Sequence, residues 1–167
     1  MIPQTLHNFN LFVDGRLFAG VATQVTPPKL KLKTEEHRGG GMDAPVKMEL
    51  GMEAMDASFA MLGASRDVMK FFGLANQTAF NGVFRGAWKD QKGNVVAAVI
   101  TLRGMLEEVD SGDWKPGEKA ETKFNVACNY FRYELDGRVL YEIDPINMVR
   151  VIDGVDQLAA VRAAIGM

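Results

Sequence analysis

Few residues in this sequence combine a reactive type with a useful spacing. Its two histidines, His7 and His37, belong to no ligand set with metal-binding intervals, so both read as ordinary surface or packing residues. The acidic cluster Glu107, Glu108, Asp110 and Asp113 could supply a carboxylate pair for acid–base work. No nucleophile or histidine accompanies it, and the stretch is rich in turns, which favours a solvated loop. Gly39-Gly40-Gly41 invites comparison with a phosphate-cradling loop, but such loops run on into Lys-Ser or Lys-Thr. Here Met42, Asp43, Ala44 and Pro45 follow, and a flexible hairpin tip is the expectation. Cys128 is the single cysteine, and it lies among apolar neighbours with no His or Lys beside it. A small buried hydrophobe fits that setting better than a reactive thiol. The methionines at 42, 48, 52, 55, 61 and 69 could form a pliable binding surface. Core or interface packing is the simpler account, since Met48 and Met52 alternate with Glu49 and Glu53 along a strand. Asn76-Gln77-Thr78 matches a glycosylation triplet, a short pattern that is common by chance and needs a secretory route. The expectation is a protein with no catalytic, cofactor or metal site, and no enzyme.

The elements that would position these residues are mainly strands. Turn signals recur at Asp14-Gly15, Pro27-Pro28, Gly93-Asn94, Gly112-Asp113, Pro116-Gly117, Asp136-Gly137 and Asp144-Pro145, with short and medium apolar runs between them. Residues 9–13 and 16–19 flank Asp14-Gly15, while 131–135 and 138–143 flank Asp136-Gly137, which predicts two tight hairpins with type I′ turns. From Thr122 onward Phe124, Val126, Cys128 and Tyr130 alternate with Lys123, Asn125 and Asn129. The phase then flips to Phe131, Tyr133 and Leu135, so a bulge or bend is expected near Tyr130. Leu30, Leu32 and Thr34 alternate with three lysines, and the more continuous apolar run 95–106 predicts a strand covered on both sides. Two helices are expected. One is capped by Ser65, places Val68, Met69 and Phe72 on its apolar face and stops at Gly73; the other covers 155–165 with Leu158, Val161 and Ile165 facing the core.

At 167 residues, with 47% hydrophobic composition, the chain can bury one core without disulfides, and a single domain over 1–167 is expected. A formal charge of −2 argues against a surface built to grip nucleic acid. The first residues lack the basic start and apolar run of a signal peptide, and no stretch is long enough to span a bilayer, so synthesis and folding in the cytoplasm are expected.

Several ordered segments carry a more specific message. They include Ile2-Pro3-Gln4-Thr5-Leu6 with Asn10-Leu11-Phe12-Val13-Asp14-Gly15, Gly40-Gly41-Met42-Asp43-Ala44-Pro45-Val46, and Phe71-Phe72-Gly73-Leu74-Ala75. Further along come Ala79-Phe80-Asn81-Gly82-Val83-Phe84-Arg85-Gly86, Thr101-Leu102-Arg103-Gly104, Gly112-Asp113-Trp114-Lys115, Gly117-Glu118-Lys119-Ala120-Glu121, Tyr141-Glu142-Ile143-Asp144-Pro145 and Asp153-Gly154-Val155-Asp156-Gln157-Leu158. Together they span nearly the whole chain. In this combination the sequence resembles the tail tube proteins of contractile phages, especially the inner tubes of the phage-tail-like bacteriocins called R-type pyocins.

That resemblance implies an antiparallel β-sandwich or barrel-like tail tube subunit with one main helix and a short C-terminal helix. It implies a homo-oligomer of hexameric rings, with inner strands joining into one barrel around a channel for DNA or effector passage. The implied partners are a contractile tail sheath protein, baseplate and tail terminator proteins, and a tape measure protein in the lumen; DNA would pass without specific binding, and there would be no membrane and no cofactor. It also implies that the loop from about 34 to 45 reaches the neighbouring ring, which makes Glu35, Glu36, His37, Arg38, Gly39, Gly40, Gly41, Met42 and Asp43 the candidate inter-ring contacts. The protein's place would be a virion or tail-like particle, after synthesis in the host bacterium. A channel that releases its cargo should not attract phosphate, so a net acidic lumen is expected, with Lys123, Asn125 and Asn129 or the strand around 48–53 as lining candidates. The competing reading of the same turns and alternation is a monomeric β-barrel that binds a small ligand.

Overall fold

In the computed structural model, residues 1–73 and 79–167 are described; the triplet Asn76-Gln77-Thr78 and the pair Leu74-Ala75 lie outside them. Twelve strands and two short helices follow one another among the described residues: β1 (Thr5–Val13), β2 (Arg16–Leu17), β3 (Ala22–Thr26), β4 (Leu32–His37), β5 (Val46–Met52), β6 (Met55–Leu62), α1 (Arg66–Met69), β7 (Phe80–Lys89), β8 (Val95–Asp110), β9 (Glu121–Leu135), β10 (Arg138–Asp144), β11 (Val149–Ile152), β12 (Val155–Asp156) and α2 (Ala159–Ile165). Both Asp-Gly hairpins form as the sequence predicts. Asp14 and Gly15 take φ of 50° and 78°, and Asp136 and Gly137 take 52° and 74°, the paired positive values of a type I′ turn.

Antiparallel pairing runs in the order β12-β11-β10-β9-β8-β7-β1-β2, with a branch in which β6 adds to β9 and β3 adds to β6. The branch point is the bend anticipated from the sequence. Arg103 of β8 faces Tyr130, but the next residue, Gly104, faces Cys128, so Asn129 is one extra residue in β9. Before this bulge β9 pairs with β6, from Glu121 to Cys128, and after it β9 pairs with β10. The two halves can diverge because the backbones approach closely at Gly104. A Cβ placed there would lie 1.9 Å from the Ala127 carbonyl oxygen, so no residue but glycine fits without moving a strand.

The diverging branch folds the sheet over a phenylalanine core. Phe59 of β6 stacks on Phe124 at 4.7 Å and on Phe80 at 5.4 Å, and meets Phe84 edge-on at 5.6 Å. Leu11, Leu102, Leu106, Val126 and Ile143 close around these rings, all buried. Side chains fill the centre of this core, and an apolar pocket of about 270 Å³ remains beside it, lined among others by Leu6, Phe9, Val25, Phe84, Ile100 and Tyr133.

Three expectations are corrected. The main helix reduces, among the described residues, to the single turn α1, and Ser65 makes no side-chain cap; its carbonyl accepts from Met69 N instead. Val68 is its buried residue and Phe71 just beyond it is buried too, while Phe72 stands 57% exposed, because the segment is anchored through Asp67 to Arg16 and through Gly73 N to the Leu106 carbonyl. Strand β8 is covered on one face only: Ala98, Leu102, Gly104 and Leu106 are buried, whereas Ala97 and Arg103 are exposed and Val99, Thr101 and Met105 are half-buried. Finally, 155–165 is not one helix. Val155–Asp156 extends the sheet as β12, and α2 buries no residue, leaving Val161 and Ile165 open. It is held by Arg162, which pairs with Asp156 and donates to the Met148 carbonyl at 2.8 Å.

Candidate functional site

The residues singled out in the sequence lie together on one projecting element. Glu35, Glu36 and His37 belong to β4, and Arg38, Gly39, Gly40, Gly41, Met42 and Asp43 form the turn that joins it to β5. β4 and β5 pair only with each other, as a separate two-stranded sheet, and every β4 residue is exposed. The tip has local order: Arg38 Nε donates to the Met42 carbonyl at 3.2 Å, Met42 N donates to the Gly39 carbonyl at 3.3 Å, and Gly39 N lies 3.1 Å from Met42 Sδ.

The ribbon has two chemically distinct faces. On one, Val46 lies across from His37 and Met48 across from Glu35, with Leu50 next in the row. Val46, Met48 and Leu50 are 50%, 42% and 51% exposed, a degree of solvent contact unusual for three apolar residues in line. The other face carries Lys47 and Glu49 and turns toward the body, where Glu49 Oε1 accepts from Arg150 Nη1 at 2.6 Å. The sequence reading missed both features. Alternating apolar residues signalled a strand but not an uncovered one, and nothing local in sequence links position 49 to position 150.

A second open surface is the outer face of β1, β7, β8 and β9. The register places Asn10, Arg85, Val99 and Glu134 in one row and Phe12, Val83, Thr101 and Arg132 in the next. Arginines here have local partners, although Arg132 Nε makes no hydrogen bond. Arg103 lies over the Tyr130 ring at 4.5 Å and Arg85 over Phe12 at 5.8 Å, and Arg132 pairs with Glu134 at 2.9 Å and Glu142 at 3.7 Å. Asn125 Nδ2 donates to Glu108 on the same face, at 3.0 Å. Asn129, by contrast, is taken up by the bulge.

The remaining candidates do not assemble into chemistry. Among the described residues no group of His, Cys, Asp and Glu could hold a metal ion. Asp110 accepts from Gly112 N at 2.9 Å, closing its own turn, and Glu108 is engaged as above. Burial, with the nearby Asp56 charge, pushes the Cys128 thiol up to about 12, so it stays protonated and poorly nucleophilic. The same cysteine borders a surface groove of about 410 Å³ at the hairpin root, lined among others by Met52, Met55, Ile143, Met148 and Leu158. Among the described residues no helix is long and apolar enough to cross a membrane.

Large apolar residues are exposed well beyond the hairpin. Trp114 is 80% exposed, Ile146 68%, Val155 64% and Ile165 58%.

Comparison with known proteins accords with these surfaces. The family model described as phage tail tube protein FII matches residues 3–166. The tail tube protein of Escherichia phage P2 is 38% identical over 170 residues, covering 99% of both chains. The major tail tube protein of Serratia phage KSP20 is 31% identical over 155 residues, covering 92% of this chain and 90% of its own. Among solved structures, a chain of the sheath-tube complex of the PVC extracellular contractile injection system superposes with a TM-score of 0.59 at 11% identity, covering 79% of this chain and 91% of the other. The tube terminating cap of the anti-feeding prophage gives 0.59 at 12% identity, over 80% and 92%. At such identity the structural matches speak for the fold.

Proposed function

This chain belongs to the phage tail tube protein family and is an inner tail tube subunit, and we propose that it builds the tube as hexameric rings stacked through the β4–β5 hairpin. It is a structural component of a virion or tail-like particle and not an enzyme. The single observation that carries the stacking proposal is the hairpin itself. A two-stranded ribbon that pairs with no other strand and exposes Val46, Met48 and Leu50 in a row beside His37 and Glu35 is suited to being received by another copy. The tip residues 35–43 are then the inter-ring contacts.

Ring closure follows from the sheet edges. Along residues 5–10 β1 pairs with β7 on one side only, since β2 covers just Phe12 and Val13, and the opposite end of the sheet finishes in the two-residue β12. Unpaired edges at both ends of one sheet suit head-to-tail addition, and a heterologous contact that closes by rotation makes a ring. In such a ring the outer face of β1, β7, β8 and β9 forms the channel wall. It carries Arg85, Arg103, Arg132 and Lys123 together with Glu108, Asp110 and Glu134, and Glu142 reaches Arg132 from the neighbouring β10, a wall of mixed charge where a net acidic lumen was the expectation. Either wall lets DNA or an effector slide, because the described residues of this face form no dense cationic surface to release counterions from phosphate.

The whole of 1–167 acts as one domain in this reading. The sheath protein, baseplate and terminator would meet the tube from outside and at its ends, as the sheath-tube and terminator assemblies of the structural neighbours suggest by analogy, with a tape measure protein inside. The test is negative-stain electron microscopy over a concentration series. The natural chain should give hollow tubes of uniform width, and a chain whose residues 38–43 are replaced by an Asn-Gly turn should stop at single rings. Tubes of normal length from the shortened hairpin would refute stacking through this element, and a persistent monomer that retains a small molecule would favour the ligand-binding barrel.

A further inference from the structure

A projecting ribbon can dock only if it points the right way, and two strands without a third have little stiffness of their own at the root. What fixes the direction here is a buried cation. Arg150 lies on β11 opposite Ile143, on the inward side of the sheet, and is only 7% exposed. Among the described residues its one salt-bridge partner is Glu49, from the ribbon, at 2.6 Å, and its Nε has no hydrogen-bond partner. A guanidinium withdrawn from water cannot release its counter-ion without leaving an unpaired charge in a low-dielectric site, so the ribbon is tied where its carboxylate reaches the arginine.

The local backbone makes this tie directional. Thr34 pairs with Glu49 but Leu32 pairs with Met52, so Leu50 and Gly51 together oppose Lys33 in a bulge, and Gly51 takes a φ of 99°. The bulge reverses the alternation, and Met52 therefore faces the body on the same side as Glu49, lining the groove at the root. Val46 and Met48 consequently face away. The other ionic tie at the root, Lys31 to Glu53 at 3.8 Å, is between exposed side chains and is too weak to hold an angle.

We propose that Glu49 and Arg150 are positioning residues for assembly: their ion pair sets the angle at which the hairpin leaves the subunit and turns Val46, Met48 and Leu50 outward before any second copy arrives. The proposal rests on the hairpin being the stacking element. Without the pair the hairpin remains folded but samples many directions, and if about a tenth of the population keeps the competent one, the concentration needed for stacking rises about ten-fold.

The experiment separates the angle from the stacking. Cys128→Ala protein carrying Arg38→Cys and Asp113→Cys is spin-labelled at both sites, and the distance distribution is measured at a concentration below assembly, with and without Glu49→Gln. Glu49 is partly exposed, so Glu49→Gln should fold, which the near-ultraviolet circular dichroism of the variant checks. A narrow distribution that broadens in Glu49→Gln, and narrows again in the exchanged pair Glu49→Arg with Arg150→Glu, is the expected result. An unchanged width in Glu49→Gln overturns the proposal whatever the tubes do. A broadened distribution with normal tube growth upholds the positioning of the hairpin and instead removes the hairpin from the stacking contact.

Discussion

Gly104→Ala should be among the most damaging single-methyl changes this chain can suffer. The cost comes from space, not from conformation, because Gly104 is not among the glycines with positive φ. The new Cβ would lie 1.9 Å from the Ala127 carbonyl oxygen, 2.9 Å from its carbon and 3.1 Å from Cys128 Cα, and all three are backbone atoms of the bulge that bends β9. Nothing there can rotate away, so β8 and β9 must part. Overpacking costs about 1–3 kcal/mol, and each ladder hydrogen bond stretched by the separation adds about 1 kcal/mol, which puts the total near 3–5 kcal/mol. For a chain of this length that lowers the melting temperature by roughly 10 °C, and with a urea slope of about 2 kcal/mol/M it moves the midpoint by roughly 2 M. The assay is urea unfolding followed by circular dichroism, at concentrations too low for assembly, since association would mask the loss. Gly86→Ala on β7 is the internal control. Its Cβ would meet the Leu6 Cδ1 methyl at 3.2 Å and no backbone atom closer than 3.8 Å, so its stability should stay within about 0.5 kcal/mol of the natural chain. Equal effects at 104 and 86, or a loss under about 1 kcal/mol at 104, would refute the steric account of the bulge.

Other outcomes follow from the same structure. Phe59→Ala removes the ring that three others touch and should cost about 3–5 kcal/mol in the same unfolding assay. Cys128 should react with a thiol reagent at pH 8 far more slowly in the native protein than in urea. Because its folded value lies above the ordinary 9, the unfolded chain loses this proton first, and native stability should decline as pH rises from about 9 toward 12 in a pH series of urea midpoints. Arg162→Ala should free α2 and speed amide hydrogen exchange across 159–165 without moving the global midpoint. Acid should do the same more gradually: the Arg162 hydrogen bond holds Asp156 below the usual carboxylate range, so its contribution persists above the ordinary 3.8 and is lost only as pH falls through that lowered value.

The turns and the bend of β9 were legible in the sequence because they are local. An Asp-Gly pair is one of the few dipeptides that tolerates two positive φ values, and a phase flip in strand alternation has few causes other than an extra residue. The branch of the sheet was not legible. That β9 is shared between β6 and β10 depends on the close approach at Gly104, which in sequence is one glycine among seventeen. The helices were overstated for a related reason. The spacing of Leu158, Val161 and Ile165 predicts a helix over 155–165, but Asp156 and Val155 pair with Val151 and Ile152, and a partner strand outweighs a weak helical preference.

The misplacement of Val161 and Ile165 has a deeper cause. Apolar periodicity records that a face is buried in the working protein; it does not record whether the cover is the same chain or another one. In a chain that folds to work alone the distinction rarely matters, and the core-facing assignment of such residues would have held. Here the same error recurs at Val46, Met48 and Leu50, which alternate like a half-buried strand and stand in solvent. On the proposed stacking, the hairpin residues that defeat a single-chain reading are the ones that the next copy covers. They offer a way to find assembly surfaces: positions whose pattern demands burial and whose own fold withholds it.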